Sequence, residues 1–415
     1  MSDVQTEQVA EKIRELERIG DQTDTREILA LATKQAIDRK YEDHVIVDTD
    51  CHHMETASWK EILEYVEDPV IRQQALDYQA RVTSPHYGLI DPLAYHQDAG
   101  GRIRHQRHQG WRESGEDADV HRDIIQIRRS LECLGIDYSV LFPTRILALG
   151  MNPQIEMEVL MGRAYNHWMV NEVLPGDDRI KSLLYLPFSA PDAALRTIEE
   201  FSDKPGVIGF LVTSVRNLPV HDDRYMKIYA ALEERGLPLA FHGGYSWHDP
   251  SMAQSDRFIG VHAMGIVFWP MVHLINWVVH GIPERFPNLD VIWIEGGLAW
   301  AIFLLERLDG EYMKRISEAP LLKKKPSEYI REMYFTTQPL EMDNLKALEL
   351  NFEMLNAETK VLYASDWPHW DFDLPSTIFD LPFLSDQARR NILGETEMKL
   401  FKLKKPRRKT LPAND

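Results

Sequence analysis

Short apolar runs recur along the chain, and between them lie longer stretches whose apolar residues fall at helical spacing. The runs predict eight strands, over 45–47, 138–142, 182–186, 207–212, 238–241, 290–294, 333–336 and 361–364. Between the first strand and the last, the spacing predicts helices over 59–65, 124–134, 155–174, 191–201, 223–235, 271–279, 300–313 and 344–351, and two more, over 377–383 and 386–393, follow the eighth strand. Strands that alternate with helices pair in parallel, and eight such units point to closure into a barrel. The expected fold is therefore α/β, a (β/α)8 TIM barrel. A doubly wound open sheet is the alternative, but no Gly-x-Gly-x-x-Gly follows an early strand. Two short amphipathic helices form an N-terminal extension over 1–44, the first with Ile13, Leu16 and Ile19, the second with Ile28, Leu29, Leu31 and Ala32. The barrel is expected over 45–402, with an irregular insertion after strand one at 68–125, and a basic tail over 403–415. A long irregular segment within an α/β chain suggests a lid or a pocket wall.

Ionisable residues stand where the apolar runs stop. Asp50 and His52 follow the first run, two apart, and so share a face of an extended backbone. His242 follows the fifth run, Glu295 the sixth and Asp366 the eighth. In a barrel all the strand ends of one polarity surround a single mouth, which brings these five residues together. Such a set suits a divalent ion that keeps an open position, where bound water reaches a pKa near ~7 and a carbonyl is polarised. Three carboxylates against two imidazoles favour Mn2+ or Fe2+, with Zn2+ also possible; one ion per chain is expected, and two are allowed. Asp366 and Glu295 are the candidate catalytic groups, either one serving as ligand or as general base. His53, Glu55, His280, His369 and Trp367 are candidate substrate contacts or supports for the ligands. His273 reads as a core or supporting residue, and Trp247, Trp269 and Trp370 join Trp367 as possible pocket walls. Gly243, Gly244, Gly296 and Gly297 are expected to let the backbone approach a ligand closely.

Composition narrows the setting. Lys plus Arg number 47 against 65 Asp plus Glu, a net charge of −18, which argues against nucleic acid as a partner. Two cysteines allow neither a disulfide framework nor a cysteine-rich zinc site. The first eighteen residues carry charge throughout and lack the apolar run of a signal peptide, and the apolar window 265–282 is interrupted by Pro270, His273, Asn276 and His280. The expectation is a reducing, cytoplasmic setting and no membrane partner.

The stretches Val47-Asp-Thr-Asp-Cys-His52, Gly236-Leu-Pro-Leu-Ala-Phe-His-Gly-Gly244, Glu284-Arg-Phe-Pro-Asn-Leu-Asp290, Ile294-Glu-Gly-Gly297 and Tyr363-Ala-Ser-Asp-Trp-Pro-His369 give a resemblance over roughly 45–402. The chain resembles the amidohydrolase superfamily, in the amidohydrolase-2 branch typified by aminocarboxymuconate semialdehyde decarboxylase. The resemblance implies metal ligands at Asp50, His52, His242 and Asp366, a small-molecule substrate and a homodimer. It places Glu295 where that decarboxylase has a catalytic histidine. Strand four contains no lysine to carry a bridging carboxylate, so the bridged two-metal centre of other branches is not expected. A glutamate in that position suits water activation better than protonation of a carbanion. The expected activity is a metal-dependent hydrolase acting on a carbonyl of a small organic acid; the alternative is a non-oxidative decarboxylase of an aromatic or unsaturated carboxylic acid.

Overall fold

Eight parallel strands form one sheet in sequence order: β1 (Val47–His53), β2 (Tyr138–Pro143), β3 (Ile180–Tyr185), β4 (Val207–Val212), β5 (Leu239–His242), β6 (Val291–Ile294), β7 (Tyr334–Thr336) and β8 (Val361–Leu362). The computed structural model describes residues 25–53, 55, 58–82, 119–213, 218–244, 251–252, 254–255, 257–369 and 371–406, with the backbone alone at 78–82 and 258. The ring is closed by β1 and the segment after β8. Thr49 N donates to Tyr363 O at 2.9 Å, Asp366 N to Asp50 O at 2.8 Å and His52 N to Trp367 O at 2.6 Å. The expected (β/α)8 barrel is the observed one.

The alternation of side chains sorts the strands into two layers. Val47, Val140, Phe142, Ala240, Ile292, Ile294 and Leu362 line the barrel interior, where Leu400 and Phe401 join them. Leu141, Leu239, Phe241, Val291 and Trp293 face outward into the larger core beneath the helices. The helices follow from apolar spacing and their end signals. Helix α1 (Thr25–Asp38) buries Ile28, Leu29, Ala32 and Ala36. Helices α2 (Trp59–Glu64), α3 (Pro69–Val82), α4 (Arg122–Cys133) and α5 (Ile155–Trp168) follow in turn. Helix α6 (Pro191–Phe201) opens on a proline and buries Ala194, Thr197, Ile198 and Phe201. Helix α7 (Met226–Arg235) stops at Gly236, whose φ of 57° is the left-handed cap that glycine adopts without strain.

Three expectations are corrected. β1 runs on through His53, so its ionisable residues lie within the strand rather than after it; pairing with β2 as far as Pro143 sustains it. The helix expected over 271–279 is α8 (Phe258–Val279), twenty-two residues long, and its Pro270 lies inside it. By length and apolarity alone α8 is able to cross a membrane; here it is the β5–β6 crossover, with Leu274, Trp277 and Val278 buried beside Phe241. The insertion expected to be irregular over 68–125 begins with the regular helix α3, while residues 83–118 lie outside the described residues. The first N-terminal helix and most of the basic tail also lie outside them. Cys51 and Cys133 are both free thiols.

Candidate metal centre

The five strand-end residues named above meet at one mouth of the barrel, and none is more than 2 % exposed. Asp50, His52, His242 and Glu295 present ligand atoms that all lie within 4.8 Å of one another; His52, Glu295, Asp366 and His369 form a second, overlapping group. Two strands deliver three of these side chains: Asp50 and His52, two apart on β1, share a face beyond a register shift between Asp48 and Cys51, and His242, two residues after the inward Ala240, comes from β5. Glu295 breaks that rule. Ile292 and Ile294 face the barrel interior, so strict alternation sends residue 295 outward. A φ of 54° at Glu295 turns it back into the mouth, with its amide donating to Thr336 Oγ1 at 3.0 Å. Asp366 has a φ of 60°. Left-handed backbone in residues other than glycine costs on the order of 1–3 kcal/mol and persists where surrounding contacts enforce it.

Each imidazole is oriented from behind. His52 Nδ1 donates to Pro143 O at 2.9 Å and His242 Nδ1 donates to Gly243 O at 2.6 Å, since a carbonyl only accepts. Both Nε2 atoms therefore turn to the centre, where they lie 3.3 Å apart. His52 Nε2 is 3.0 Å from Asp50 Oδ1, 3.3 Å from Asp366 Oδ1 and 3.4 Å from Glu295 Oε2, and His242 Nε2 is 2.8 Å from Glu295 Oε2. Gly243 is required here for a packing reason. A Cβ at that position would lie 2.0 Å from Ile266 O, because α8 crosses directly over the end of β5. Gly296 faces the Trp300 side chain and Gly297 the Pro339 carbonyl, so these three glycines admit the protein's own atoms rather than a ligand.

The donor set fits a divalent cation. Asp50 Oδ1 and Oδ2, Glu295 Oε2 and Asp366 Oδ1 are buried without a hydrogen bond. Among the described residues, every ion-pair partner of these three carboxylates is a histidine. Buried negative charge of this density is stable only beside compensating positive charge. The local electrostatics express the same demand. Burial disfavours charge on His52, but Asp50 and Glu295 outweigh it and push the pKa up to about 10. Burial also opposes ionisation of Glu295, yet His242 and His52 hold it well below the usual carboxylate range. Asp366 goes the other way: burial, then the charges of Glu295, Asp371 and Asp50, hold it well above that range. Two carboxylates in one mouth thus differ in kind: their surroundings favour the anion at Glu295 and the acid at Asp366.

The remaining sequence candidates are distributed differently. His369 sits beside Asp366, its Nδ1 2.6 Å from Asp366 Oδ1 and its ring stacked on His52 at 4.2 Å. Burial and the neighbouring His52 keep it well below the usual imidazole range. Thr144 Oγ1 gives its proton to His53 O at 2.9 Å, so it accepts one from His369 Nε2 at 3.1 Å. Glu55 is outside the ligand groups; its two oxygens accept from Thr144 N and Ile146 N, fastening the turn after β2. His53 points away from the centre, with Nε2 2.9 Å from Tyr165 Oη and Nδ1 3.5 Å from Asp123. Trp367 is fully buried and packs edge-on against Phe372. His280 is elsewhere altogether, exposed after the last turn of α8 and stacked on His221 at 3.4 Å. His273 is a core residue between Phe241 and Trp269. Trp247 and Trp370 lie outside the described residues.

Sequence reasoning passed over Asp48, Thr144 and Ser365. Asp48 carried a usable signal, an acid inside a Val-rich strand; Thr144 and Ser365 gain their roles only through contacts distant in sequence.

Comparison with known proteins gives a consistent set of matches. A family model described as amidohydrolase matches residues 117–403. The gamma-resorcylate decarboxylase of Rhodococcus jostii is 21 % identical over 262 residues, covering 60 % of this chain and 79 % of that protein. Among solved structures, the 5-carboxyvanillate decarboxylase of Sphingomonas paucimobilis superposes with a TM-score of 0.62 at 20 % identity, covering 87 % of this chain and 99 % of that one. A dihydroxybenzoic acid decarboxylase of Polaromonas, solved with bound manganese and 2-nitroresorcinol, gives 0.60 at 16 % identity over 86 % and 97 %. These matches overturn the hydrolase expected from the sequence. That expectation had Asp366 help form the attacking water, with Glu295 as a further ligand or base; in the structure Glu295 lies against His242 and His52 within the ligand group.

Proposed function

Because the chain belongs to the amidohydrolase family, we propose that it is a divalent-metal-dependent, non-oxidative decarboxylase of an aromatic carboxylic acid. The family match and the decarboxylases among its relatives support the reaction class. The observation that carries it here is a carboxyl group, that of Asp366, buried against His369 at the edge of a cation-binding group, where its surroundings favour the protonated form. Loss of carbon dioxide from an aromatic ring replaces a carbon–carbon bond by a carbon–hydrogen bond, so the site has to deliver one proton to carbon. Hydrolysis requires a base instead.

In this reading Asp50, His52, His242 and Glu295 hold the ion, with Asp366 beside them. When bound, the ion supplies positive charge that neutralises and orients an anionic substrate oxygen. Pro143 O and Gly243 O keep both imidazoles turned to the centre. Asp366 Oδ1 holds the proton that passes to the ring carbon as the carboxyl group leaves as carbon dioxide. His369, fixed by Thr144, keeps that carboxyl group in place. Burial of the whole group keeps water from competing for the carbanion. A homodimer and a cytoplasmic location belong to the same proposal; sedimentation of the purified protein and fractionation of cells test them.

The experiment offers Mn(II)-loaded protein 2,6-dihydroxybenzoate, 5-carboxyvanillate and a short series of other hydroxybenzoates, with and without chelator. Carbon dioxide from at least one of these acids, lost on chelation, is the expected result. Cleavage of an ester or lactone, with no carbon dioxide from any acid, would contradict the proposal.

A further inference from the structure

Asp48 is buried, points to neither ligand group, and is joined to both sides of the ring closure. Its Oδ1 accepts from Ser365 N at 2.8 Å and from Asp50 N at 3.3 Å, and its Oδ2 accepts from Ser365 Oγ at 2.6 Å. Ser365 Oγ in turn accepts from Trp367 N at 3.0 Å. One carboxylate therefore fixes the amide of Asp50 and, directly or through one hydroxyl, the amides on either side of Asp366. Asp48 and Ser365 are both fully buried, so these bonds do not compete with water.

The need for such a fastening follows from the fold. β8 is two residues long, so the segment that carries Asp366 has left the regular ladder before it reaches the site. Asp366 adopts a left-handed backbone, which costs an aspartate energy and persists where surrounding contacts hold it. The closure bonds from Asp366 N to Asp50 O and from His52 N to Trp367 O set the height of the two segments. The Asp48–Ser365 pair adds the lateral hold.

We infer that Asp48 and Ser365 are positioning residues, a clasp that sets Asp50 and Asp366 at the spacing the metal centre requires. The inference rests on the proposed metal site, since a clasp has no purpose without it. It separates from ordinary core support by a comparison within the same strand region. Asp137 Oδ2 accepts from Ile46 N at 2.8 Å just before β1 begins, another buried carboxylate-to-backbone bond but at the end of the barrel remote from the site.

The test is calorimetric titration of Mn(II) into metal-free wild type, Asp48→Asn, Ser365→Ala and Asp137→Ala, with thermal melts of each metal-free protein. Ser365→Ala removes only a hydroxyl and keeps the clasp testable if Asp48→Asn does not fold. The expected outcome is a loss of Mn(II) affinity of roughly 10–100-fold in both clasp variants, the range for groups that orient metal ligands. Asp137→Ala is expected to melt earlier than wild type yet bind Mn(II) with unchanged affinity. Equal Mn(II) affinity in wild type and the folded clasp variants would overturn the clasp alone, as would an affinity loss in Asp137→Ala matching theirs. Failure of wild type to bind Mn(II) would overturn the metal site, and the clasp with it.

Discussion

At the scale of single residues, Glu295 and Asp366 divide the labour of the proposed reaction. Both are buried strand-end acids, yet their neighbours set them apart: at Glu295 the imidazoles outweigh burial and stabilise the anion, whereas at Asp366 burial and then the carboxylates destabilise it. Asp366→Asn is expected to retain Mn(II) in metal analysis and to lose turnover by a factor on the order of 100–10,000, the usual contribution of a positioned acid. Loss of the metal in that variant would assign Asp366 to the ligands instead. His242→Ala is expected to abolish most Mn(II) binding, because it removes one of the four atoms of the first group; full occupancy would remove His242 from the centre.

At the scale of elements, the long crossover helix α8 is tied to the site through Gly243. A methyl group there meets the Ile266 carbonyl, so Gly243→Ala is expected to destabilise the protein by about 1–3 kcal/mol, measured by urea unfolding. Wild-type stability in that variant would show that α8 moves aside freely. The same helix carries a pH-dependent liability. His273 Nε2 is buried without a hydrogen bond, and burial alone pushes its pKa down to about 3. The folded value lies below the unfolded value of ~6.5, so His273 contributes stability that is present above pH ~6.5 and lost as the pH falls toward 3. Between pH 7 and 5 the loss amounts to about 2 kcal/mol. His273→Leu is expected to flatten that dependence in urea midpoints; an unchanged slope would place the acid sensitivity elsewhere.

The element scale also shows what was legible in the sequence. Eight apolar runs with ionisable residues at their ends were enough to place Asp50, His52, His242, Glu295 and Asp366 at one mouth, because strand polarity in a parallel barrel leaves a single place for them. Helix α8 was read short: Gly260, His262 and Gly265 interrupt the pattern that its packing sustains. His280 was misread because closeness in sequence to β6 does not say at which end of the strand a helix terminus lies. The inward turn of Glu295 depends on one backbone angle, which no pattern of side chains encodes.

At the scale of the whole molecule, a barrel closed by its first strand and the segment after its last brings Asp50 and Asp366 face to face, and the centre exists only if that seam holds. The seam and the buried carboxylates around Asp366 suit the proposed exchange of a carboxyl group for a proton. The most direct measurement is mass spectrometry of the product formed by Mn(II)-loaded protein in D2O enriched in H2-18O, using whichever hydroxybenzoate turns over. Decarboxylation predicts one deuterium on the carbon that lost the carboxyl group, one carbon dioxide released per product, and no oxygen-18 in the product. Oxygen-18 in the product without release of carbon dioxide would contradict the account.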